Sequence, residues 1–159
     1  IESPRSPSRR MKAIQNALCV IVTIGDYSNE ANTTEVRIDA ALESFPVDID
    51  HRHLRQVFAL LNYKVLPVEH KSRWTEEELI AFLQEDVVRE LFDEHEKLKY
   101  DALMVCVSGH GLENHIITSD YKAIHKTALH RLFSIRHPRL REIPRIFLFD
   151  SCDGAATKD

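Results

Sequence analysis

Four short apolar segments constrain the fold of this chain more than any other feature of its sequence. They span residues 18–24, 64–68, 102–107 and 145–149, and none of them alternates apolar with polar side chains. Strands with continuous apolar character are typical of a parallel sheet that is covered on both faces. Pro67 would cost a hydrogen bond inside a sheet, so the second segment is predicted to be an edge strand.

Helical periodicity fills the intervals between these segments. One pattern consists of Leu54, Val57, Phe58 and Leu61. The second begins with a capping box at residues 75–78 and continues through Leu79, Phe82, Leu83, Val87, Leu91 and Phe92. A third places Ile124, Ala128, Leu129, Leu132 and Phe133 on one face. Strands and helices therefore alternate, which predicts an open, mostly parallel α/β sheet with helices on both faces, a three-layer αβα fold.

The length of 159 residues suits one domain. Residues 1–12 are rich in Ser, Pro and Arg and are predicted to be a flexible leader or pro-segment, which leaves residues 13–159 as the domain. A net charge of −4 argues against a general nucleic-acid binder. There is neither an apolar run long enough to span a membrane nor a secretory signal, so a cytoplasmic protein is expected.

The four glycines indicate where a ligand would bind. Gly25, Gly109, Gly111 and Gly154 each follow closely on a predicted strand. In open α/β sheets, ligands bind outside the carboxyl ends of the strands. Turn glycines would explain any one of these positions, whereas four at one edge favour a functional site.

Two of these loops carry reactive side chains, His110 in one and Cys152 in the other. A histidine can take the proton of a thiol and later protonate a leaving amine, and the thiolate can attack a carbonyl. The backbone amides of Gly111 and Cys152 could stabilise the resulting oxyanion. The alternative is a turn histidine and a buried structural cysteine, as is expected of Cys19 and Cys106.

Both motifs resemble those of the caspase-like cysteine peptidases. The resemblance rests on the glycine-flanked His110, on Cys152 in a turn 42 positions later, and on residues 48–54, 61–65 and 143–149. It covers residues 15–159 and implies a large-subunit (p20-like) domain. It further implies that His110 is the catalytic base, Cys152 the nucleophile, and Gly111 and Cys152 the oxyanion hole. The implied role is regulated proteolysis or cell-death signalling, with no cofactor.

The details are similar to metacaspases and paracaspases, which cleave after Arg or Lys. In those relatives a carboxylate two residues before the cysteine lines the pocket for the basic side chain; Asp150 has that position, and Asp50 matches a second pocket carboxylate. Caspases that select Asp use an arginine whose ungapped counterpart here is Ser44, and Arg37 could serve only across an insertion. The P1 residue, which precedes the cleaved bond, is thus open between Asp and Arg or Lys, with a lean towards basic residues.

The family implies partners besides the protein or peptide substrate. A small (p10-like) subunit would add strands beside residues 145–149, and such units dimerise with themselves or with a related protease. The chain alone is therefore expected to be inactive and poorly soluble. Calcium activation is not expected, because residues 121–141 contain no Asp or Glu and six Lys or Arg.

Two alternatives stand beside the peptidase. Asp153 would raise the pKa of the adjacent Cys152, so an inactive caspase-fold regulator that acts as a dimerisation module remains open. A nucleotide-binding α/β domain fits the element pattern but lacks the phosphate-binding glycine motifs. His51 and His53 could suggest a metal site, but their i, i+2 spacing on a helix directs them to different faces.

Overall fold

The structure, a computed structural model, describes residues 13–27, 47–135 and 137–151. Its strands are β1 (Ala17–Thr23), β2 (Lys64–Leu66), β3 (Ala102–Ser108), β4 (Gly111–Leu112), β5 (His115–Ile117), β6 (Ala123–His125) and β7 (Arg145–Asp150). Its α-helices are α1 (Asp48–Leu60), α2 (Glu76–Ala81), α3 (Val87–Leu91) and α4 (Lys126–Ile135). A π-helical turn, Phe82–Asp86, joins α2 to α3, and a 3₁₀ turn, Pro138–Arg141, precedes β7.

The main sheet has the order β2-β1-β3-β7, and every neighbouring pair is parallel. This confirms the predicted α/β class, and among the described strands β2 lies at the edge, as predicted. The second strand is shorter than expected, since it ends at Leu66, before Pro67. Proline has no N–H to donate to a neighbouring strand, which accounts for the early end.

Alternate residues of the strands enter two different cores, which explains why the strands read as continuously apolar. On one face, Leu18, Val20 and Val22 of β1 join a large core with α2, α3 and α4. On the other face, Cys19 and Ile21 join a smaller core that includes Phe58 of α1. The predicted three-layer arrangement follows from this division of the strand side chains.

The helical segment after Trp74 begins as predicted. The side chain of Thr75 accepts a hydrogen bond from the Glu78 N–H, and the Glu78 carboxylate accepts the Thr75 N–H. The π-helical turn was not predicted. Leu83, Val87 and Leu91 recur every fourth residue and are all buried, whereas an ideal α-helix drifts by about 40° over four residues. The wider π turn offsets this drift and keeps the side chains against the sheet.

Two of the predicted apolar faces are partly wrong. In the first pattern, Phe58 of α1 is buried, but Val57 and the C-cap residue Leu61 are each 51% exposed. In the third pattern, Leu129 and Phe133 of α4 are buried and Ala128 is exposed. Ile124 is also buried, but from β6 and not from the helix.

A second, antiparallel sheet of order β4-β5-β6 follows the turn after β3. The sequence did not predict it, because its strands contain only two or three residues each. Gly111 was predicted to lie in the loop after a core strand. It is instead the first residue of β4 in this small sheet. The basic segment at residues 121–141 contains β6, α4 and the 3₁₀ turn. No helix in the described ranges is both long and apolar enough to cross a bilayer.

Candidate active site

The turn that carries His110 lies at the carboxyl edge of the main sheet, next to the end of β7. Ser108 is in register with Asp150, and the Gly109 N–H donates to the Asp150 carbonyl oxygen at 3.2 Å. The two loops that carry the sequence-predicted dyad therefore leave neighbouring strands at the same edge. Cys152 itself, Gly154 and Asp153 lie outside the described residues, as do Arg37, Ser44 and the predicted leader at residues 1–12.

The main chain of His110 is held on both sides. Its N–H donates to the Tyr27 hydroxyl oxygen at 2.9 Å, and its carbonyl oxygen accepts the Ile117 N–H at 2.9 Å. The first bond connects the turn to the segment after β1, and the second connects it to β5. The small antiparallel sheet thus contacts the histidine turn through a main-chain hydrogen bond.

Gly109 allows this turn to approach the end of β1. A Cβ at residue 109 would lie 2.9 Å from the Ile24 carbonyl oxygen, 3.0 Å from the Ile24 Cβ and 3.1 Å from the Tyr27 hydroxyl oxygen. Two of these three atoms belong to the backbone or to a stiff, buried β-branched side chain. A larger residue at this position therefore requires the turn to move away from β1.

We expect Gly109→Ala to lower the free energy of unfolding by about 2 kcal/mol, because the added methyl group overpacks the contact with Ile24. Its displacement of His110 should also impair any chemistry that depends on this imidazole. Urea denaturation of both proteins measures the first effect. A variant within about 0.5 kcal/mol of the native protein would show that the turn has room for a side chain.

A cavity of about 340 Å³ opens beside this turn, between α1 and the ends of the central strands. Asp50 of α1 and Asp150 at the end of β7 both line it, together with Ser108. The two residues assigned by the resemblance to a P1 pocket therefore border the same cavity. Asp50 lies within the first turn of α1, whose N-cap residue is Val47.

A polar cluster connects the start of α1 with the end of β1. The side chain of buried Thr23 lies 3.1 Å from His70 Nε2, and His70 Nδ1 lies 3.5 Å from the Asp48 carboxylate. His51 packs on His70 with ring centroids 4.2 Å apart. Its Nε2 is buried without a hydrogen-bond partner among the described residues. Burial lowers the pKa of His51 to about 4, and His70 and Arg55 act in the same direction.

The depressed pKa of His51 predicts acid sensitivity. The unfolded chain takes up this proton near pH 6.5, whereas the folded protein resists until about pH 4, so the stabilisation is present above pH 6.5 and is lost as the pH falls through this window. We expect His51 to account for a loss of about 2 kcal/mol in unfolding free energy between pH 7 and pH 5. His51→Leu should remove that part of the pH dependence in urea titrations. An unchanged pH dependence would contradict the assignment.

The two described cysteines are unsuited to nucleophilic chemistry. Cys19 and Cys106 are buried in adjacent strands of the sheet. Burial raises the pKa of the Cys19 thiol to about 12 and that of Cys106 to about 11. Both are therefore protonated thiols at neutral pH, as expected for structural cysteines.

Metal ligands are not grouped in the described part of the chain, where no three His, Cys, Asp or Glu side chains are placed to hold an ion. His51 is buried, whereas His53 is exposed. The two histidines thus lie on different faces of α1, as their spacing predicted.

The arrangement of the sheet and of the histidine turn agrees with a comparison of the sequence with known families. The chain matches the caspase domain over residues 16–159. It belongs to the caspase family. Membership confirms the caspase-like fold and assigns the chain to the cysteine peptidases as a family. No curated protein matches it.

Some residues of this caspase-family site were not predicted from the sequence. Tyr27 carries the contact to His110, and the pair Thr23 and His70 fixes α1. Tyr27 and His70 lie in segments between regular elements, where apolar periodicity gives no signal. Tyr27 follows the first glycine after β1 by two residues, and this proximity to the predicted ligand edge was the only clue.

Proposed function

We propose that this protein is a cysteine endopeptidase in which His110 is the general base and Cys152 the nucleophile, acting in regulated proteolysis such as cell-death signalling. The proposal is supported above all by the pairing of β3 with β7, which ends at Ser108 and Asp150. Cys152 follows Asp150 by two residues, and two peptide units span at most about 7 Å. We therefore expect the thiol to lie near the histidine turn.

The reaction requires three groups that this edge can supply. His110 would take the Cys152 proton, the thiolate would attack the substrate carbonyl, and the protonated imidazole would then give its proton to the leaving amine. The backbone amides of Gly111 and Cys152 would donate to the oxyanion of the tetrahedral intermediate. Water then hydrolyses the thioester and restores the free thiol.

The cavity beside the turn supports a basic P1 residue. Asp50 and Asp150 both line it, and two carboxylates would attract a guanidinium or ammonium group while repelling an aspartate. The apolar part of the wall, which includes Leu54 and Phe149, suits the methylene groups of Arg or Lys. We therefore propose cleavage after Arg or Lys.

Matched fluorogenic peptides that differ only at P1 test this function and its specificity. The chain is produced together with the downstream segment expected to supply the small subunit. We expect kcat/KM for peptides with Arg or Lys at P1 to exceed that for Asp by at least about 100-fold. Placing like charges next to each other costs several kcal/mol. Faster cleavage after Asp would contradict the assigned pocket, and no cleavage of any peptide would contradict the peptidase.

Asp153 favours a second candidate, a regulator without peptidase activity. Asp153 is adjacent to Cys152 in the sequence, and a carboxylate close to a thiol disfavours the thiolate. In that case the protein would bind an active relative through the caspase fold. Peptide cleavage by the native protein decides between the two candidates.

The exposed edge of β7 supports the proposed small subunit. Among the described strands, β7 pairs only with β3, and Leu148 on it is 49% exposed. Unpaired apolar edges promote association of chains. We expect the chain alone to be inactive and to aggregate, and co-production with a small subunit to restore solubility and cleavage. Size-exclusion chromatography and peptide assays measure both, and a fully active soluble monomer would contradict this expectation.

A further inference from the structure

Tyr27 places its hydroxyl group at the junction of three chain segments. The side chain is only 4% exposed. Its hydroxyl donates to the Ile24 carbonyl oxygen at 3.0 Å and accepts the His110 N–H at 2.9 Å. The carbonyl oxygen of Ile117 lies 3.4 Å from the same hydroxyl. One phenol therefore connects the end of β1, the histidine turn and β5.

The ring of Tyr27 also limits the space available to the imidazole. The two ring centroids lie 5.0 Å apart with an angle of 57° between the planes, a contact typical of tilted aromatic pairs. Tyr27 is itself anchored, because the Tyr121 hydroxyl donates to its carbonyl oxygen at 2.7 Å. Burial raises the pKa of Tyr27 to about 12, so the hydroxyl stays protonated at neutral pH and keeps both hydrogen bonds.

Gly109 and Tyr27 complement each other at this junction. The hydroxyl occupies space that a Cβ at residue 109 would approach to 3.1 Å. The glycine thus leaves room for the phenol, and the phenol satisfies the His110 N–H that the glycine turn presents. A phenylalanine would keep the ring but leave this N–H without its buried acceptor.

We propose that Tyr27 is a positioning residue for His110: its hydroxyl holds the main chain of the histidine turn, and its ring confines the imidazole. This proposal deepens the proposed function and rests on it, since His110 must act as the base. A base held loosely loses part of the advantage of orientation, because small displacements of a reacting group cost rate. The substrate cavity, in contrast, does not include Tyr27 among its lining residues.

The test compares Tyr27→Phe with Tyr63→Phe in the chain produced with its small subunit. Tyr63 is a matched control, because its hydroxyl donates to a main-chain carbonyl, that of Ile14 at 3.2 Å, and it lies next to β2 at the amino end of the sheet. We expect Tyr27→Phe to lower kcat about tenfold with KM within about twofold of native. Tyr63→Phe should leave both constants near native.

A second measurement is independent of activity. Amide hydrogen exchange followed by NMR should show slow exchange at His110 in the native protein and about tenfold faster exchange in Tyr27→Phe. An unchanged kcat in Tyr27→Phe, or fast exchange at His110 in the native protein, would overturn the proposal. If the native protein cleaves no peptide, the proposed function fails, and the exchange rates then show by themselves whether the hydroxyl holds the turn. If Tyr27→Phe does not fold, the exchange rate of the His110 amide in the native protein tests whether this N–H is held in a hydrogen bond.

Discussion

Replacing His110 by alanine is expected to lower kcat for basic-P1 peptides by about 1,000-fold, because it removes the proposed base for the Cys152 thiol and the proposed acid for the leaving amine. KM should change little, since His110 is not among the residues that line the proposed P1 cavity. Steady-state kinetics on the protein produced with the proposed small subunit measure both constants.

His95→Ala is the matched control for this variant. His95 is exposed, and its Nε2 lies 3.5 Å from the Glu94 carboxylate. It lies in the loop that leads into the amino end of β3, opposite the edge that carries His110. Its loss should leave kcat within about twofold of native. Equal effects of the two substitutions would show that His110 has no role in the chemistry.

Removing the negative charge of an aspartate that lines the cavity should change P1 specificity rather than the rate of the chemical step. We expect Asp150→Asn to lower kcat/KM for Arg at P1 by about 30-fold, because a neutral amide replaces a charge-assisted hydrogen bond. Asp50→Asn should act in the same direction. Cleavage of a peptide with a neutral P1 residue should hardly change, since no charge pair is lost.

Asp86→Asn controls for the general loss of one negative charge. Asp86 lies in the π-helical turn and pairs with Arg89 at 3.1 Å, on an element that does not line the cavity. Its kcat/KM for Arg and Lys peptides should remain native. If Asp150→Asn retains the full preference for basic residues, the cavity is not the P1 pocket.

The sequence predicted the strands and helices whose apolar side chains form the core. Continuous apolar strands require cover on both faces, so β1 and β3 could be assigned together with the helices that cover them. The capping box at Thr75 and Glu78 marked the start of α2 correctly. The positions of Asp50 and Asp150 were available only through the family resemblance, and the structure adds that both line one cavity.

The remaining features depend on contacts between distant parts of the chain. The strands of the β4-β5-β6 sheet are too short to show a periodic pattern in the sequence. They pair antiparallel with one another and not with the main sheet. The π-helical turn follows from packing against the sheet and not from the propensity of residues 82–86. The bond from His110 to Tyr27 spans 83 positions, which no local pattern encodes.

Labelling of Cys152 tests the central claim most directly. A peptidyl chloromethylketone with Arg at P1 alkylates a thiolate that lies within reach of a working base, and mass spectrometry locates the modified cysteine. The account predicts stoichiometric labelling of Cys152 in the native protein and its loss in His110→Ala. Labelling that is equally fast without His110, or that occurs at Cys19 or Cys106 instead, would contradict it.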